Sequence, residues 1–406
     1  MNEFTPFLIS WNLTKRCNLK CDHCYLDASE LEGDGGDIPT EEAFSILDKI
    51  AEYSPGAMLI LTGGEPLLRR DFYDIAQHAT EGGLSVVLGT NGTLIDDAAA
   101  KRLKACGVQG VGLSLDSILP SSHDEFRGLR GAWEKTVKAI DTLKNNNLEF
   151  QIQFTVTKRN YDEIPDLIKL AFDKGAKAAN VFFLVCTGRG QEMTDISPEQ
   201  YEKMLNYLAD AETEYSGRMM VRARCAPHFL RVVQQRSPDS QVMKGATSGC
   251  IAGTGYFRIT PEGEVTPCPY MPGAVGNIRK QSLSEIWESS DTFQSLRNPQ
   301  YNGKCADCRY NEACGGCRAR ALSSSGDMLG EDPWCDYKPE LDERAALKEM
   351  GPVIWEDAAT KRLSKVPVFL RGMVKKGLER YAKEKGLRTI TPEIMEEMRS
   401  RVGGKR

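Results

Sequence analysis

Histidine is scarce in this chain, whose 406 residues include 4 histidines and 13 cysteines. So few histidines disfavour zinc, copper or haem sites that are built from several imidazoles. Long apolar runs are also missing, because stretches such as 57–61 and 181–185 are far shorter than the ~20 residues that a membrane span needs. The first residues lack the basic stretch and apolar stretch of a secretory signal. We therefore expect a cytoplasmic protein without a membrane partner.

An excess of positive charge is missing as well. The formal net charge is −5, which disfavours a general nucleic-acid binder and predicts no nucleic-acid partner. Hydrophobic residues make up 41% of the chain and charged residues 27%, which excludes a largely disordered protein. In a chain without an export signal, the cysteines favour metal or redox chemistry over disulfides. They favour a zinc site made of cysteines or an iron–sulfur cluster.

Apolar, β-prone runs alternate with amphipathic helical stretches over residues 1–190, the first predicted domain. In the first helix, 40–53, Thr40 is the expected N-cap, and Phe44, Leu47 and Ile50 recur at helical spacing. Strands that alternate with helices predict an α/β fold with a parallel sheet, either open or closed into a partial (β/α)6 TIM-type barrel. Ligands are expected at the carboxyl ends of the strands. The six predicted strands are 7–13, 58–62, 85–89, 110–115, 150–156 and 180–185.

Two further regions follow the predicted sheet. Residues 191–244 are expected to form a helical bridge, in which Ser197 and Pro198 begin a helix. Residues 245–340 are rich in glycine, proline and cysteine, with short strands at 256–259 and 264–266. This composition is typical of a small module that is held by metal rather than by a large core.

Residues 341–406 are predicted to form a short helical C-terminal domain with a different charge balance. From residue 361 onward the chain has 14 Lys and Arg against 5 Glu. Pro367 is expected to begin one helix and Gly386 to end it, and Thr391 and Pro392 to begin another. The basic charge indicates an anionic partner, docking on the acidic remainder of the chain, or simply a solvated basic surface.

Three cysteines, Cys17, Cys21 and Cys24, lie directly after the first predicted strand. Three thiolates on one loop can hold three irons of a 4Fe–4S cluster and leave the fourth iron open to a substrate or cofactor. A zinc knuckle that lacks one ligand is the alternative for this motif. The spacing resembles that of the radical S-adenosylmethionine (SAM) superfamily.

This resemblance extends over residues 7–190 and implies a set of SAM contacts. The segment Gly63-Gly64-Glu65-Pro66 follows the second predicted strand, where glycines allow a backbone to approach a ligand closely. In the superfamily this motif contacts the methionine amino group of SAM. Each further candidate could instead be an ordinary loop or surface residue. The further candidates are His23 against the adenine, Asn91 and Ser114 on the ribose or methionine, and Arg127 on the SAM carboxylate.

The superfamily resemblance also implies the chemistry. SAM would bind the open iron, and one electron from a donor such as ferredoxin or flavodoxin would cleave its sulfur–carbon bond. The resulting 5′-deoxyadenosyl radical would take a hydrogen atom from the substrate. The cofactor supplies this difficult step, and the protein supplies positioning and exclusion of water.

A second group of cysteines resembles the SPASM domain, which carries auxiliary 4Fe–4S clusters in many radical SAM enzymes. The resemblance implies one cluster on Cys305, Cys308, Cys314 and Cys335. It implies another on Cys250, Cys268 and Cys317, with either Cys225 or an open position as the fourth ligand. Cys314 and Cys317 are separated by two residues, where the domain usually has three, and this places the assignment of Cys317 in doubt. A zinc ribbon is the alternative.

The whole layout resembles the haem synthases of the alternative, siroheme-derived haem pathway, through segments such as 187–190, 253–256 and 315–321. Residues from about 355 to 402 resemble the end of a light-independent protochlorophyllide reductase subunit. The haem synthase resemblance implies oxidative decarboxylation of two propionates of iron-coproporphyrin III to vinyl groups, which gives haem b.

A tetracarboxylate substrate should be surrounded by arginines, whose planar guanidinium pairs with a carboxylate through two hydrogen bonds. The candidates are Arg189, Arg222, Arg224 and Arg258, with His228 as a ligand to the porphyrin iron. The alternatives are a peptide maturase, a related siroheme or haem d1 enzyme, and a non-enzymatic metal-binding scaffold. The first cysteine motif starts at Cys17, which leaves little room for a preceding domain that grips a precursor peptide.

Overall fold

The structure is a computed structural model, and it describes residues 4–29, 36–185, 187–192, 196–238, 240, 242–243, 249–338, 353–366 and 368–402. Ten strands form one sheet in the order β10-β9-β8-β1-β2-β3-β4-β5-β6-β7. The strands are β1 (Leu8–Asn12), β2 (Met58–Thr62), β3 (Ser85–Thr90), β4 (Gly110–Ser114), β5 (Glu149–Val156), β6 (Ala178–Phe183), β7 (Met220–Arg224), β8 (Tyr256–Ile259), β9 (Glu264–Thr266) and β10 (Gly276–Asn277).

Helices cover the sheet and connect its strands. In the sequence order of the described residues they are α1 (Thr40–Tyr53), α2 (Phe72–Glu81), α3 (Asp97–Ala105), α4 (Pro120–Arg127), α5 (Ala132–Asn145), α6 (Ile164–Lys174), α7 (Pro198–Tyr215), α8 (His228–Arg236), α9 (Leu283–Ser289), α10 (Asp291–Arg297) and α11 (Arg318–Ser325). None of the helices in the described part of the chain is long and apolar enough to cross a membrane.

The two faces of the sheet differ in polarity, as β5 illustrates. Phe150, Ile152 and Phe154 are buried in the hydrophobic core beneath the helices, and they alternate with the half-buried Gln151 and Gln153. Successive side chains of a strand point to opposite faces, so the glutamines lie on the face away from that core. Strands β1 to β6 pair in parallel, as the alternation of strands and helices predicted, and the α/β fold class is confirmed.

Two strands extend this parallel sheet beyond the six that the sequence predicted. Strand β7 lies inside the predicted helical bridge and pairs in parallel with β6. Strand β8, from the cysteine-rich region, pairs in parallel with β1. Both are short, and β7 alternates Arg222 and Arg224 with two small apolar residues, so its composition did not indicate a strand. One sheet therefore crosses the predicted boundaries at residues 190 and 244.

Helix starts were predicted with mixed success. Ser197 is the N-cap of α7, as predicted, and it forms a capping box with Gln200. The prediction for Thr40 was wrong, because Pro39 is the N-cap of α1 and Thr40 is its first residue. The Thr40 hydroxyl donates instead to Asp71 Oδ2 at 2.6 Å, which joins the start of α1 to the start of α2.

The C-terminal region has a small core of its own, formed by Ala359, Leu378, Ala382 and Ile390. Gly386 follows the second of its three helices with a φ of +68°, and the third begins at Pro392, as predicted. Pro367, the predicted start of the second helix, lies outside the described residues. The elements are β11 (Ile354–Trp355), α12 (Asp357–Leu363), α13 (Val368–Glu384), β12 (Thr389–Ile390) and α14 (Pro392–Val402).

Candidate functional site

The loop after β1, residues 13–29, carries the first three cysteines, and we call it the cysteine loop. Cys17 and Cys21 are buried and Cys24 is half-buried. Burial raises the pKa of Cys17 to about 12 and also raises that of Cys21. A thiolate at such a position is costly unless a metal centre stabilises it. Three such thiols on one loop fit a cluster that is bound through three irons.

Hydrogen-bond donors surround these sulfurs. The backbone N–H groups of Leu19 and Ala28 donate to Cys17 and Cys24, each at 3.4 Å. Arg127 Nη1 lies 3.7 Å from Cys21 Sγ, and Asn91 Nδ2 lies 4.0 Å from Cys17 Sγ. Donors to cluster sulfurs stabilise negative charge and tune the reduction potential, so this environment also fits an iron–sulfur cluster.

The glycine motif after β2 packs against the cysteine loop. The Gly64 N–H donates to Thr14 O at 2.8 Å, and the Glu65 N–H donates to Arg16 O at 2.7 Å. A Cβ on Gly63, where φ is +148°, would lie 2.6 Å from Thr14 O, and a Cβ on Gly64 would collide with Arg16 O. Glycine was expected here to admit a ligand. The structure uses it for a close approach between two loops, and contact with SAM stays a prediction.

The Glu65 carboxyl ties the ends of β2 and β3 together. It accepts hydrogen bonds from Thr90 Oγ1 at 2.8 Å, from the Asn91 N–H at 3.0 Å and from the Leu67 N–H at 3.2 Å. Burial raises its pKa to about 7, although these hydrogen bonds oppose the rise. Pro66 begins the short helical turn that Glu65 caps. The Glu65 carboxyl therefore stabilises the local structure next to the cysteine loop.

The residues at the ends of β3 and β4 lie beside the cysteine loop. Asn91 donates through Nδ2 to Asn18 Oδ1 at 2.9 Å and accepts through Oδ1 from the Thr93 N–H at 2.9 Å. Ser114 ends β4, is half-buried and pairs in register with Gln153. The structure brings both residues to the expected edge of the sheet, and their contacts with SAM stay predictions.

Arg127 forms a buried ion pair that the sequence did not predict. Its Nε donates to Asp116 Oδ2 at 2.6 Å, and its Nη2 lies 2.5 Å from the same oxygen. Burial disfavours the Asp116 carboxylate, but the Arg127 cation lowers its pKa below the usual value. The guanidinium expected on the SAM carboxylate is therefore paired within the protein. Asp116 lies just past the end of β4, and that position was the only signal that could have found it.

His23 also lies at this site. Its ring stacks on Phe126 with centroids 4.4 Å apart and planes 2° apart. Burial lowers its pKa to about 3, so the imidazole is neutral. A neutral, stacked ring is compatible with the predicted adenine contact, which stays a prediction.

Arg189 holds the cysteine loop. Its Nε donates to Cys21 O at 2.9 Å, and its Nη1 donates to Ala28 O at 2.8 Å and to Asp27 Oδ1 at 2.6 Å. Its own N–H donates to Cys24 O at 3.1 Å. These contacts give Arg189 a structural role through Nε and Nη1, whereas its Nη2 has no hydrogen-bond partner among the described residues, and the expected substrate contact stays a prediction.

Arg222 and Arg224 lie on the polar face of the sheet, on β7. Arg224 Nε donates to Asn180 Oδ1 at 3.0 Å, and Asn180 Nδ2 donates to Gln151 Oε1 at 2.7 Å. Burial lowers the pKa of both arginines, and the neighbouring Arg222 cation helps to lower that of Arg224 to about 10. Within the described ranges, no carboxylate lies within ion-pair distance of either guanidinium.

Arg258 lies on the same polar face, on β8. Its Nε donates to Thr266 Oγ1 at 3.0 Å and its Nη1 to Pro269 O at 3.2 Å. Its guanidinium lies 5.8 Å from the ring centroid of Tyr25, the residue after Cys24. Tyr25 in turn makes an edge contact with Tyr270 at 5.5 Å. Arg258 thus lies between the cysteine loop and the strand that leads to Cys268.

Four cysteines line one cavity of about 350 Å³ in the C-terminal half of the sheet region. These four are the ones that the SPASM resemblance assigned to one cluster: Cys305, Cys308, Cys314 and Cys335. Arg231 and Lys304 line the same cavity. Four thiols that line one cavity beside cations fit a fully ligated 4Fe–4S cluster.

A second group of four cysteines lies nearby: Cys225, Cys250, Cys268 and Cys317. Burial raises the pKa of Cys225 to about 12, and the thiolates of Cys317 and Cys250 contribute to the rise. Burial also raises the pKa of Cys268, and the thiolates of Cys317, Cys250 and Cys225 add to the rise. Cys225 has a φ of +54°, a conformation that is unusual for a non-glycine residue and that here turns its thiol into this group. Of the two alternatives for the fourth position, the geometry favours Cys225.

His228 belongs to a buried network between the two groups of auxiliary cysteines. Its Nδ1 lies 2.9 Å from the Tyr201 hydroxyl, and its Nε2 lies 3.8 Å from Asp332 Oδ2. Asp332 accepts from the Cys317 N–H at 2.7 Å, and Arg320 donates to Cys225 O at 2.9 Å. The ring is 1% exposed and lines the four-cysteine cavity. This enclosure replaces the expected role as a ligand to the porphyrin iron.

Comparisons with known proteins agree with this geometry. The family model described as the radical SAM superfamily matches residues 11–171, and the one described as the SPASM iron–sulfur cluster-binding domain matches residues 250–309. Residues 355–399 match the model for the proto-chlorophyllide reductase 57 kD subunit. The AdoMet-dependent heme synthase of Methanosarcina barkeri is 42% identical over 343 residues, which are 82% of this chain and 97% of that relative. This chain belongs to the radical SAM superfamily, among the members with a SPASM domain.

Other relatives share this architecture. The pre-heme d1 synthase of Dinoroseobacter shibae is 32% identical over 81% of this chain and 85% of its own length. The structure of Streptococcus suis SuiB bound to S-adenosylmethionine superposes with a TM-score of 0.67 at 17% identity, over 82% of this chain and 78% of SuiB. This radical SAM chain is thus a SAM-dependent iron–sulfur enzyme, with a 4Fe–4S cluster, SAM and auxiliary clusters as its cofactors.

Proposed function

We propose that this enzyme acts on a tetrapyrrole, by oxidative decarboxylation of two propionates of iron-coproporphyrin III to vinyl groups, which gives haem b. Its relative of 42% identity is named an AdoMet-dependent heme synthase, and this supports a role in haem biosynthesis. Related enzymes that carry other tetrapyrrole names, such as pre-heme d1 synthase, share less identity with this chain.

The observation that carries the proposal is the pair of arginines on β7. Arg222 and Arg224 are two cations on the polar face of the sheet, and the described residues provide no carboxylate for them. Both side chains are half-buried, and a cation that is partly removed from water without a counter-ion favours an anionic ligand. A porphyrin propionate has the required charge, and a guanidinium can hold it through two hydrogen bonds.

Neighbouring polar groups would orient the remainder of the substrate. The amide chain from Asn180 to Gln151 fixes the position of Arg224, since each amide has a partner in the next strand. Arg258 and Tyr25 lie at the opposite edge of the parallel sheet, beside the cysteine loop. A flat substrate with propionates around its rim would contact both edges, and its apolar macrocycle would rest on aromatic side chains such as the contacting pair Tyr25 and Tyr270.

The cofactors would be held by three sets of thiolates. We assign Cys17, Cys21 and Cys24 to the cluster that binds SAM. We assign the four cysteines that line the 350 Å³ cavity to one auxiliary cluster, and the group that contains Cys225 to the other. When bound, these groups supply the radical that removes a hydrogen atom from the propionate β-carbon and an acceptor for the electron released with CO2.

The protein itself contributes positioning and charge. Arg189 and the glycine motif hold the cysteine loop against the sheet, so that the reacting centre has a fixed place relative to β7. A fixed substrate carboxylate makes one β-hydrogen accessible at a time, which is the main catalytic contribution that a protein can make to a radical reaction. A small one-electron carrier such as ferredoxin or flavodoxin is the proposed electron donor.

The test is anaerobic turnover of the holoenzyme with iron-coproporphyrin III, SAM and dithionite, with products identified by mass spectrometry. We expect 5′-deoxyadenosine together with the monovinyl product and then haem b. The tetramethyl ester of the same iron porphyrin is the matched control, because it has no carboxylate and should not be converted. Release of 5′-deoxyadenosine without any change in the porphyrin would refute the substrate. If didecarboxysiroheme were the one substrate converted, the enzyme would catalyse an earlier step of the siroheme-derived haem pathway.

A further inference from the structure

Two buried arginines follow Cys317 in the first turn of α11, and they differ in how their charge is balanced. Arg320 forms an ion pair with Asp332, with 3.0 Å between Nη2 and Oδ2. Arg318 is 3% exposed, and it has no carboxylate within ion-pair distance among the residues described. The Asp327 carboxylate interacts with it from a distance, and because solvent screens that carboxylate, the Arg318 cation is only weakly offset.

The hydrogen bonds of Arg318 fix the guanidinium in place without neutralising it. Its Nη1 donates to Met328 O at 2.8 Å and to Gly330 O at 2.9 Å, and its Nε donates to Gly316 O at 3.3 Å. Its Nη2 is buried and makes no hydrogen bond within the described structure. Neutral carbonyls orient a cation but leave its full charge in a region of low dielectric constant.

The position of this charge is between the two auxiliary cysteine groups. Arg318 lines a cavity of about 320 Å³ together with Cys250, from one group, and Cys314, from the other. Arg318 also directly follows Cys317, which belongs to the same group as Cys250. One guanidinium thus lies beside cysteines of both groups.

We propose that Arg318 is a positioning residue whose unpaired cation is shared by the two auxiliary clusters and raises the reduction potential of both. A 4Fe–4S cluster with four thiolates carries net negative charge, and reduction by one electron adds to it. A fixed cation nearby stabilises the reduced form more than the oxidised form, and low local dielectric strengthens this effect. Arg318 thereby makes both clusters better electron acceptors.

The other arginines of this region do not share this role. The Arg320 charge is offset by Asp332, and the Arg231 charge is offset by Glu202. Arg309 is exposed beside Cys308, so solvent screens its charge. Arg318→Gln and Arg309→Gln therefore remove the same charge from the same module, one from a buried position and one from the surface.

The test is a potentiometric titration of the substrate-free holoenzyme, followed by electron paramagnetic resonance (EPR). In Arg318→Gln we expect the ratio of reduced to oxidised cluster to fall at least tenfold at a fixed potential, about 59 mV for one electron, at both auxiliary clusters. The SAM-binding cluster should not change. Arg318→Lys should stay close to the parent, because it keeps the charge, and Arg309→Gln should match the parent.

Three results would overturn the inference: unchanged auxiliary potentials in Arg318→Gln, a change at one auxiliary cluster alone, or an equal change in Arg318→Lys. If Arg318→Gln fails to assemble its clusters, Arg318→Met provides the second variant. It removes the charge and keeps an unbranched side chain in the buried position. Both potentials must fall, and unchanged values would equally refute the inference. No porphyrin is present, so the result is independent of the proposed substrate.

Discussion

The cysteines of the cysteine loop and the auxiliary cysteines differ in how they are distributed along the chain. The first three cysteines lie within residues 17–24 on one loop, whereas the auxiliary cysteines are drawn from residues 225–335 and from several elements. Three thiols from one loop leave one position of a cluster to a ligand, and four thiols from several elements close it. This difference is the one that the proposed roles require, in which the N-terminal cluster binds SAM and the auxiliary clusters carry electrons.

The two sets of cysteines also differ in whether the arginine beside them is paired with a carboxylate. Arg127 lies beside Cys21, but Asp116 neutralises it. Arg318 lies between the two auxiliary groups, and in the described chain it has no carboxylate within ion-pair distance. A site that must donate an electron to SAM needs a low potential and benefits from a neutral surrounding, whereas a site that accepts an electron benefits from a cation.

The largest expected effect follows from removal of one thiol of the cysteine loop. Cys21→Ala should reduce 5′-deoxyadenosine formation to background, because the remaining two thiolates and the open position cannot hold the cluster. Anaerobic assay of SAM cleavage with dithionite, together with iron analysis, measures this loss. Cys106→Ala is the matched control, since Cys106 is buried in the hydrophobic core away from both cysteine regions. Retained SAM cleavage in Cys21→Ala would mean that the clusters have been assigned to the wrong regions.

Loss of the N-terminal ion pair should destabilise the fold. Arg127→Gln leaves the Asp116 carboxylate buried without its cation, which typically costs about 3–5 kcal/mol. Anaerobic chemical denaturation of the holoenzyme measures the free energy of unfolding. The double variant Arg127→Gln, Asp116→Asn should recover part of the loss, because no unpaired charge remains. If the double variant recovers none of the lost unfolding free energy, Asp116 does not neutralise Arg127, and the contrast between Arg127 and Arg318 is incorrect.

A smaller effect is expected at the substrate arginines. Arg224→Ala should weaken binding of iron-coproporphyrin III by about 1.5–3 kcal/mol, roughly 10- to 150-fold in Kd, because one charge-assisted contact is lost. Absorbance titration of the anaerobic holoenzyme measures Kd without turnover. Arg218→Ala, an exposed position just before β7, is the control and should bind like the parent. Equal affinities for all three proteins would remove β7 from the substrate site.

The smallest effect on activity is expected from removal of the C-terminal region, which has its own core. A chain that ends after Lys338 should keep SAM cleavage and porphyrin turnover within about twofold when dithionite supplies the electrons, because the described cofactor and substrate residues all precede residue 339. Steady-state assays of the two chains measure this ratio. A large loss of turnover with unchanged cluster content would place the C-terminal region in the substrate site.

Local patterns predicted much of this molecule. Six parallel strands, the α1 bounds and the Ser197 cap follow from periodicity and capping preferences within short windows. The four cysteines of the 350 Å³ cavity were grouped by resemblance to the SPASM domain, and the structure brings them together. The functions of individual site residues stay predictions.

The contacts that the sequence did not predict join distant segments. The Arg127 pair with Asp116 and the Arg189 contacts with the cysteine loop depend on how strand ends meet, and no short window contains that information. The strand at 256–259 was predicted correctly, but its pairing with β1 was not, since the two strands lie far apart in sequence. Strand β7 was not predicted as a strand. Side chains that look available for a ligand can be engaged by such contacts, as Arg189 and His228 are.

The central claim is that one cluster is open and two are closed, and EPR of the dithionite-reduced holoenzyme with and without SAM tests it most directly. We predict that SAM shifts one signal, the one lost in Cys21→Ala, and leaves the two auxiliary signals unchanged. A shift of the signal that is altered in Cys225→Ala, or no shift at all, would contradict the account.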